Sequence, residues 1–303
     1  MNELIFPEHI DNSMRKELVK CQKIAHWKFE RGLTAEVGNE HLIAGGAFAK
    51  GMEVMRRYHY EEHTDPEITL ANGITALYAQ YGKFIPPSNS LKTADRMAGA
   101  LAYYAGRRPF AEDEYTPVKL GDELGIEVQF NYGIGIAHPI TGLDLSYCGR
   151  FDMLAYDKNG DVWVIDEKTT GKLGEAWVHQ WNLDSQMTGY CWGAKKLLLE
   201  HGITAEVKGA VINGISILKY DYDHIRCPTF RQDWEIERWY AQMLRDISGW
   251  ITAFKQQDHN QVLDHACALY NNPCQFAKLC KSANPERIMD SYTVRFWDPM
   301  RRD

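Results

Sequence analysis

No stretch of the 303-residue chain approaches the ~18 consecutive apolar residues of a membrane span. The opening residues, MNELIFPEHIDNSMRKELVK, lack the apolar core of a signal peptide, so the expected compartment is the cytoplasm. Positive charge is not in excess either. Thirty-four Lys and Arg stand against 41 Asp and Glu, for a net charge of −7, which excludes a globally basic nucleic-acid coat but not a local basic cleft. Internal repeats and low-complexity tracts are absent. A composition of 45% hydrophobic and 25% charged residues excludes a disordered tail, a collagenous rod and a coiled-coil rod. No G-x-x-x-x-G-K-[ST] occurs, so any helicase would be a separate partner protein. Seven cysteines is an odd number, and without an export signal it argues for thiols, a metal or a cluster before a disulfide framework.

What is present reads as an α/β (α+β) chain: helices, a central mixed β-sheet with a helix packed on it, then more helices. Helical spacing predicts helices over 11–33, 41–62, 66–81 and 91–105, with the loop residues Pro86–Ser90 before the last. Strand formers then dominate 125–136 and 145–156. Asp157-Lys-Asn-Gly-Asp161 predicts a turn into a strand at 162–170, and two such runs joined by Asn-Gly make a hairpin. A helix over 175–201, a strand over 206–218 and a helix over 233–254 follow, and the tail from Leu263 is irregular and contains cysteines. The expected organisation is one domain over 1–303: a mainly helical part to 120, an αβ core over 121–220, and a helical, Cys-containing part from 221.

Chemistry sits on the hairpin. Asp152 lies in the first strand within GRFD, and the second carries Asp166-Glu167-Lys168 within VIDEKTT. Side chains alternate along a strand, so Asp166 and Lys168 share one face and Glu167 takes the other. Acidic groups on two paired strands suit a hard divalent cation such as Mg²⁺ or Mn²⁺. A lysine beside them can steer a water nucleophile or stabilise charge developing on a phosphate. An isolated D-x-K triplet is ordinarily a solvated charge cluster. Here it closes an apolar strand, follows another Asp across a tight turn and precedes a helix. On that helix Gln186 and Tyr190 are four apart and share a face, where they can reach a phosphate or base, or simply pack on the sheet.

This order of features (G-x-x-D, an apolar strand ending D-x-K-T, then Q-x-x-x-Y) resembles the PD-(D/E)xK nucleases of the RecB type, most strongly over 125–192. The resemblance implies a restriction-endonuclease-like core with N- and C-terminal helical wings. It implies a metal-dependent DNA exonuclease acting in recombination, repair or end processing on single strands or duplex ends. Under it Asp152 and Asp166 bind catalytic metal, Lys168 assists the water, the Glu167 carbonyl adds a metal contact, and Gln186 and Tyr190 touch DNA. RecB-type enzymes place a His on an early helix, and Ala49 stands at the matching position of GGAFAKGMEV. Glu53, one helical turn on, is either an acidic ligand in its place or a surface residue paired with Arg56 or Arg57. The alternative is a DNA-binding or complex-assembly protein on the same fold with weak or no catalysis, and the missing His favours it.

Cys267, Cys274 and Cys280 form C-x6-C-x5-C near one end, and Cys21 lies far upstream. Some RecB-like nucleases, of the AddB and CRISPR-adaptation types, hold a four-iron iron–sulfur cluster with one N-terminal and three C-terminal cysteines, and this placement is similar. The first tail spacing is longer than the usual C-x2-C. Zinc is the runner-up occupant, and four unrelated buried thiols remain open. Cys148, Cys191 and Cys227 have no such pattern and read as packing residues.

Overall fold

A computed structural model describes residues 4–34, 40–269 and 272–301. Its longer helices are α1 (Asn12–Lys20), α2 (Glu40–Tyr60), α3 (Pro66–Tyr81), α4 (Ala94–Arg107), α5 (Ser185–Glu200) and α6 (Asp233–Gln256). Its longer strands are β1 (Ile126–Ala137), β2 (Asp144–Tyr156), β3 (Val162–Thr170), β4 (Val207–Ile217) and β5 (Tyr222–Phe230). No described helix is long and apolar enough to cross a membrane. The chain divides into two compact units, one of residues 1–37, 131–149 and 237–303, the other of 38–130 and 150–236.

The second unit carries a mixed sheet between helices. β2 and β3 are antiparallel, with Tyr156 opposite Val162 and Met153 opposite Ile165; β4 runs parallel to β3, and β5 returns antiparallel to β4. The hairpin turn closes as its composition demands. Asp157 Oδ1 accepts the amide hydrogens of Asn159 and Asp161, and Gly160 takes φ +83. Ile215 and Ile217 of β4 enter a core built with Phe48, Met52, Met55, Leu77, Leu101 and Tyr104 of α2, α3 and α4. The alternate residue Gly214 lies on the other side, under the Trp177 ring. The predicted mixed sheet flanked by helices is therefore what forms.

Three local expectations change. The helix expected over 175–201 is interrupted: Glu175–His179 and a 3₁₀ turn precede Asp184, whose carboxylate caps α5 by accepting from the Gln186 and Met187 amides. The helix expected over 11–33 breaks at Cys21, which is extended (φ −170, ψ 121), and resumes as Gln22–Ala25 and a π-helical turn at His26–Glu30. And β5 lies in a region expected to be helical. Its Pro228 is tolerated because β5 is the last strand of the sheet.

The β3–β4 ladder skips Lys208, pairing Val162 with Val207 and Trp163 with Gly209. Gly209 (φ +158) closes this bulge, and a Cβ there would sit 2.0 Å from the Thr229 carbonyl oxygen. Gly209→Ala is expected to cost about 1–3 kcal/mol in urea unfolding, since the obstacle is backbone. An unchanged midpoint would mean that the strands separate freely there.

In the first unit, the short strand His9–Ile10 pairs parallel with Ser146–Tyr147 of β2, and Leu33–Thr34 pairs antiparallel with Thr293–Val294. Its apolar cluster joins Cys21, Ile24, Trp27 and Leu33 to Phe276 and Leu279, with Cys274 and Cys280 packed against it.

Candidate active site

The β2–β3 ladder ends at Met153 and Ile165, one residue short of both aspartates. There the Asp152 carboxylate takes over from the backbone, and its Oδ2 accepts the Glu167 amide hydrogen at 2.6 Å. Asp166 pairs with Lys168 two residues along β3, on the shared face the alternation predicts. Asp152 also feels the charge of Asp166: burial, then Asp166, pushes Asp152 up to about 6. Burial likewise raises Asp166, against the pull of Lys168. Lys168 loses stability as a cation through burial, but Asp166 and Asp152 together more than restore it and raise its pKa. Two carboxylates that resist ionisation beside one ammonium form a site short of positive charge. A hard divalent cation would supply that charge, and an all-oxygen donor set suits it.

Glu167 points away from this pair. Its carboxylate is buried against Arg56 of α2 and accepts from Asn213 Nδ2 at 3.1 Å. Asn213 Oδ1 in turn accepts from Arg226 Nε at 2.9 Å, and Arg226 grips Asp113 through both terminal nitrogens at 2.7 and 2.6 Å. Tyr104 Oη accepts from Arg226 at 3.1 Å, and burial, then the Glu167 charge, pushes its phenol up to about 12. Arg56, offered by the sequence as a surface partner for Glu53, is instead 2% exposed. This corrects the surface reading: a guanidinium is stable there because Glu167 neutralises it.

Glu53 pairs with Lys50 at 2.7 Å and Arg57 at 3.3 Å, not with Arg56. It nevertheless lies close enough to raise Glu127, a residue no motif marked. Glu127, the second residue of β1, takes φ +52 and binds Arg150 at 2.9 Å. Burial, then the charge of Asp152, pushes it up to about 8. Its only sign in the sequence is an acidic residue within a run of strand formers. Gln186 and Tyr190 meet as their spacing requires, with Gln186 Nε2 donating to Tyr190 Oη at 2.8 Å, and the Tyr190 ring packs edge-on against Phe130 and Phe151.

In the other unit, Val262 links two of the four cysteines: its N–H donates to Cys21 Sγ at 3.4 Å and its carbonyl accepts from Cys267 Sγ at 3.4 Å. The Cys274 amide bonds the Cys267 carbonyl at 2.8 Å. Burial raises the Cys274 and Cys280 thiols, and the charges of their fellow cysteines add to this. The remaining three cysteines are buried.

No curated protein matches the chain. Among solved structures, a provisionally assigned exonuclease of Eubacterium rectale is similar in fold, with a TM-score of 0.51 and 12% identity over 91% of this chain and 94% of that one. The structure of SSO0001 aligns at a TM-score of only 0.29, with 15% identity over 79% and 83% of the two chains. The family model of the PD-(D/E)XK nuclease superfamily matches residues 29–281, a span holding Asp152, Asp166 and Lys168 with β1 to β5 around them. The chain belongs to the PD-(D/E)XK nuclease superfamily.

Proposed function

We propose that the protein is a divalent-metal-dependent DNA nuclease of the RecB-like type, an exonuclease acting on single strands or duplex ends in recombination, repair or end processing. One observation carries the reading: two buried carboxylates on paired strands lie beside a lysine where the β2–β3 ladder ends. Asp152 and Asp166 would hold Mg²⁺ or Mn²⁺, with the Glu167 carbonyl and Glu53 as further oxygen donors. Bound there, the ion would supply Lewis acidity to the scissile phosphate. Lys168 orients the attacking water and stabilises charge as it develops. Asp152 is held in register by the Glu167 amide, so its oxygen is set before substrate arrives. Gln186 and Tyr190, fixed on each other, offer an amide and a phenol to the nucleic acid.

The test is cleavage of end-labelled single- and double-stranded DNA with added Mn²⁺, comparing wild type with Lys168→Ala. Wild type should release short products from ends, and Lys168→Ala should slow release by about 10²-fold or more while retaining Mn²⁺ by calorimetry. Loss of Mn²⁺ with Lys168→Ala would make Lys168 a structural partner of Asp166 instead. Specific DNA binding by wild type without cleavage would favour the second reading, a DNA-binding or complex-assembly protein, which Ala49 supports.

We further propose that Cys21, Cys267, Cys274 and Cys280 ligate a four-iron iron–sulfur cluster. Val262 bonds both Cys21 and Cys267, and the Cys274 amide reaches the Cys267 carbonyl, which supports a shared occupant, with zinc as the runner-up. Anaerobically purified protein should be brown, and Cys274→Ser or Cys280→Ser should bleach it. A colourless wild type reconstituted with iron and sulfide would end the cluster reading.

A further inference from the structure

Glu30 is completely buried, and its ionic partners are two imidazoles. Its Oε2 meets His26 Nδ1 at 2.7 Å, and its Oε1 meets His259 Nε2 at 2.8 Å and accepts from Trp250 Nε1 at 2.7 Å. The two histidines are 5% and 6% exposed, and their rings lie 4.4 Å apart. One ligand atom from each of the three residues falls within 4.8 Å of the other two, and no other trio of His, Cys, Asp and Glu does so among the described residues. The π-helical turn His26–Glu30 sets two of them on one side, and the third follows the end of α6.

The Glu30 carboxylate is shared by two ring nitrogens and an indole N–H, and no Lys or Arg pairs with it among the described residues. A buried carboxylate is costly unless it is fully compensated. His259 Nδ1 is also buried with no hydrogen-bond partner, so that ring is only half satisfied.

We propose that His26, Glu30 and His259 form a binding site for a first-row transition metal ion, with zinc as the best match. Two imidazoles and one carboxylate are a recurrent zinc donor set, whereas Mg²⁺ prefers oxygen donors and retained water. Tetrahedral bonds of about 2.0–2.1 Å place donors about 3.3 Å apart, roughly half an ångström wider than the present contacts. Small side-chain rotations supply that difference. Trp250 keeps its bond to Glu30 and orients the ligand, the usual duty of an outer-shell donor. The site is independent of the nuclease reading, because it shares no residue with Asp152, Asp166 or Lys168.

The experiment loads full-length Asp166→Asn protein, whose hairpin carboxylate set is broken, with one equivalent of Co²⁺ and then of Zn²⁺. Visible d–d bands of a nitrogen- and oxygen-ligated ion are expected without a thiolate charge-transfer band. Cys274→Ser should retain them and His259→Gln should lose them. Zn²⁺ affinity should fall by more than about 100-fold in His259→Gln, beyond what loss of an outer-shell partner costs. Thiolate bands alone, no bands, or d–d bands indifferent to His259→Gln would overturn the site and leave a hydrogen-bonded carboxylate. Should His259→Gln fail to fold, zinc X-ray absorption on the parent protein decides. Two imidazoles in the metal shell are expected, and a sulfur-only or water-only shell refutes the proposal.

Discussion

Asp166→Ala is expected to lower DNA cleavage by about a thousandfold or more, several kcal/mol of transition-state stabilisation, and Asp152→Ala by a similar factor. Each change removes a carboxylate from the proposed metal shell. A simple folding defect would also abolish activity, and the electrostatics of the site separate the two explanations. Asp152 is pushed up to about 6 by burial and by Asp166, so at neutral pH its negative charge opposes folding. Replacing it with Asn removes that charge and keeps an oxygen for the Glu167 amide. Metal-free Asp152→Asn should therefore be more stable than wild type, by on the order of 1–2 kcal/mol, while inactive. Urea unfolding in EDTA, paired with the cleavage assay, checks both halves. Full activity in purified Asp152→Asn would remove the carboxylates from the chemistry. Lost activity with lost stability would mean that Asp152 is a structural acceptor.

The largest effect on folding is expected at Arg56. Arg56→Met leaves Glu167 buried beside Asn213 without its cation, and should cost about 3–5 kcal/mol. Glu167→Leu added to Arg56→Met should recover much of that loss, since two apolar side chains replace an ion pair at little net cost. A double-mutant cycle in urea reads the coupling directly. If the two losses simply add, the pair is not the unit that holds α2 on β3.

Much of this was legible locally. The hairpin was written in alternation and in a turn of Asp157, Asn159 and Gly160, whose short-range hydrogen bonds involve only neighbours. Asp166 and Lys168 shared a face because strand geometry repeats every two residues, and Gln186 reached Tyr190 because helix geometry brings i and i+4 together. β5 was missed because its residues lack a clean alternation and it contains a proline, which only its place at the sheet edge excuses. The break before α5 was missed because Asp184 reads equally well as a helix interior residue until its carboxylate turns to cap.

The sequence by itself determined the hairpin, most of the long elements, the order of the chemistry and the superfamily, since the local patterns that mark them span only a few residues. Tertiary structure alone decided which charges are solvated and which are buried. Arg56 and Glu167 are 111 positions apart, and Glu30 and His259 are 229 apart. No periodicity spans such distances. A charged side chain looks the same in sequence whether water or a counter-ion will neutralise it, and the packed fold makes that choice by excluding the water.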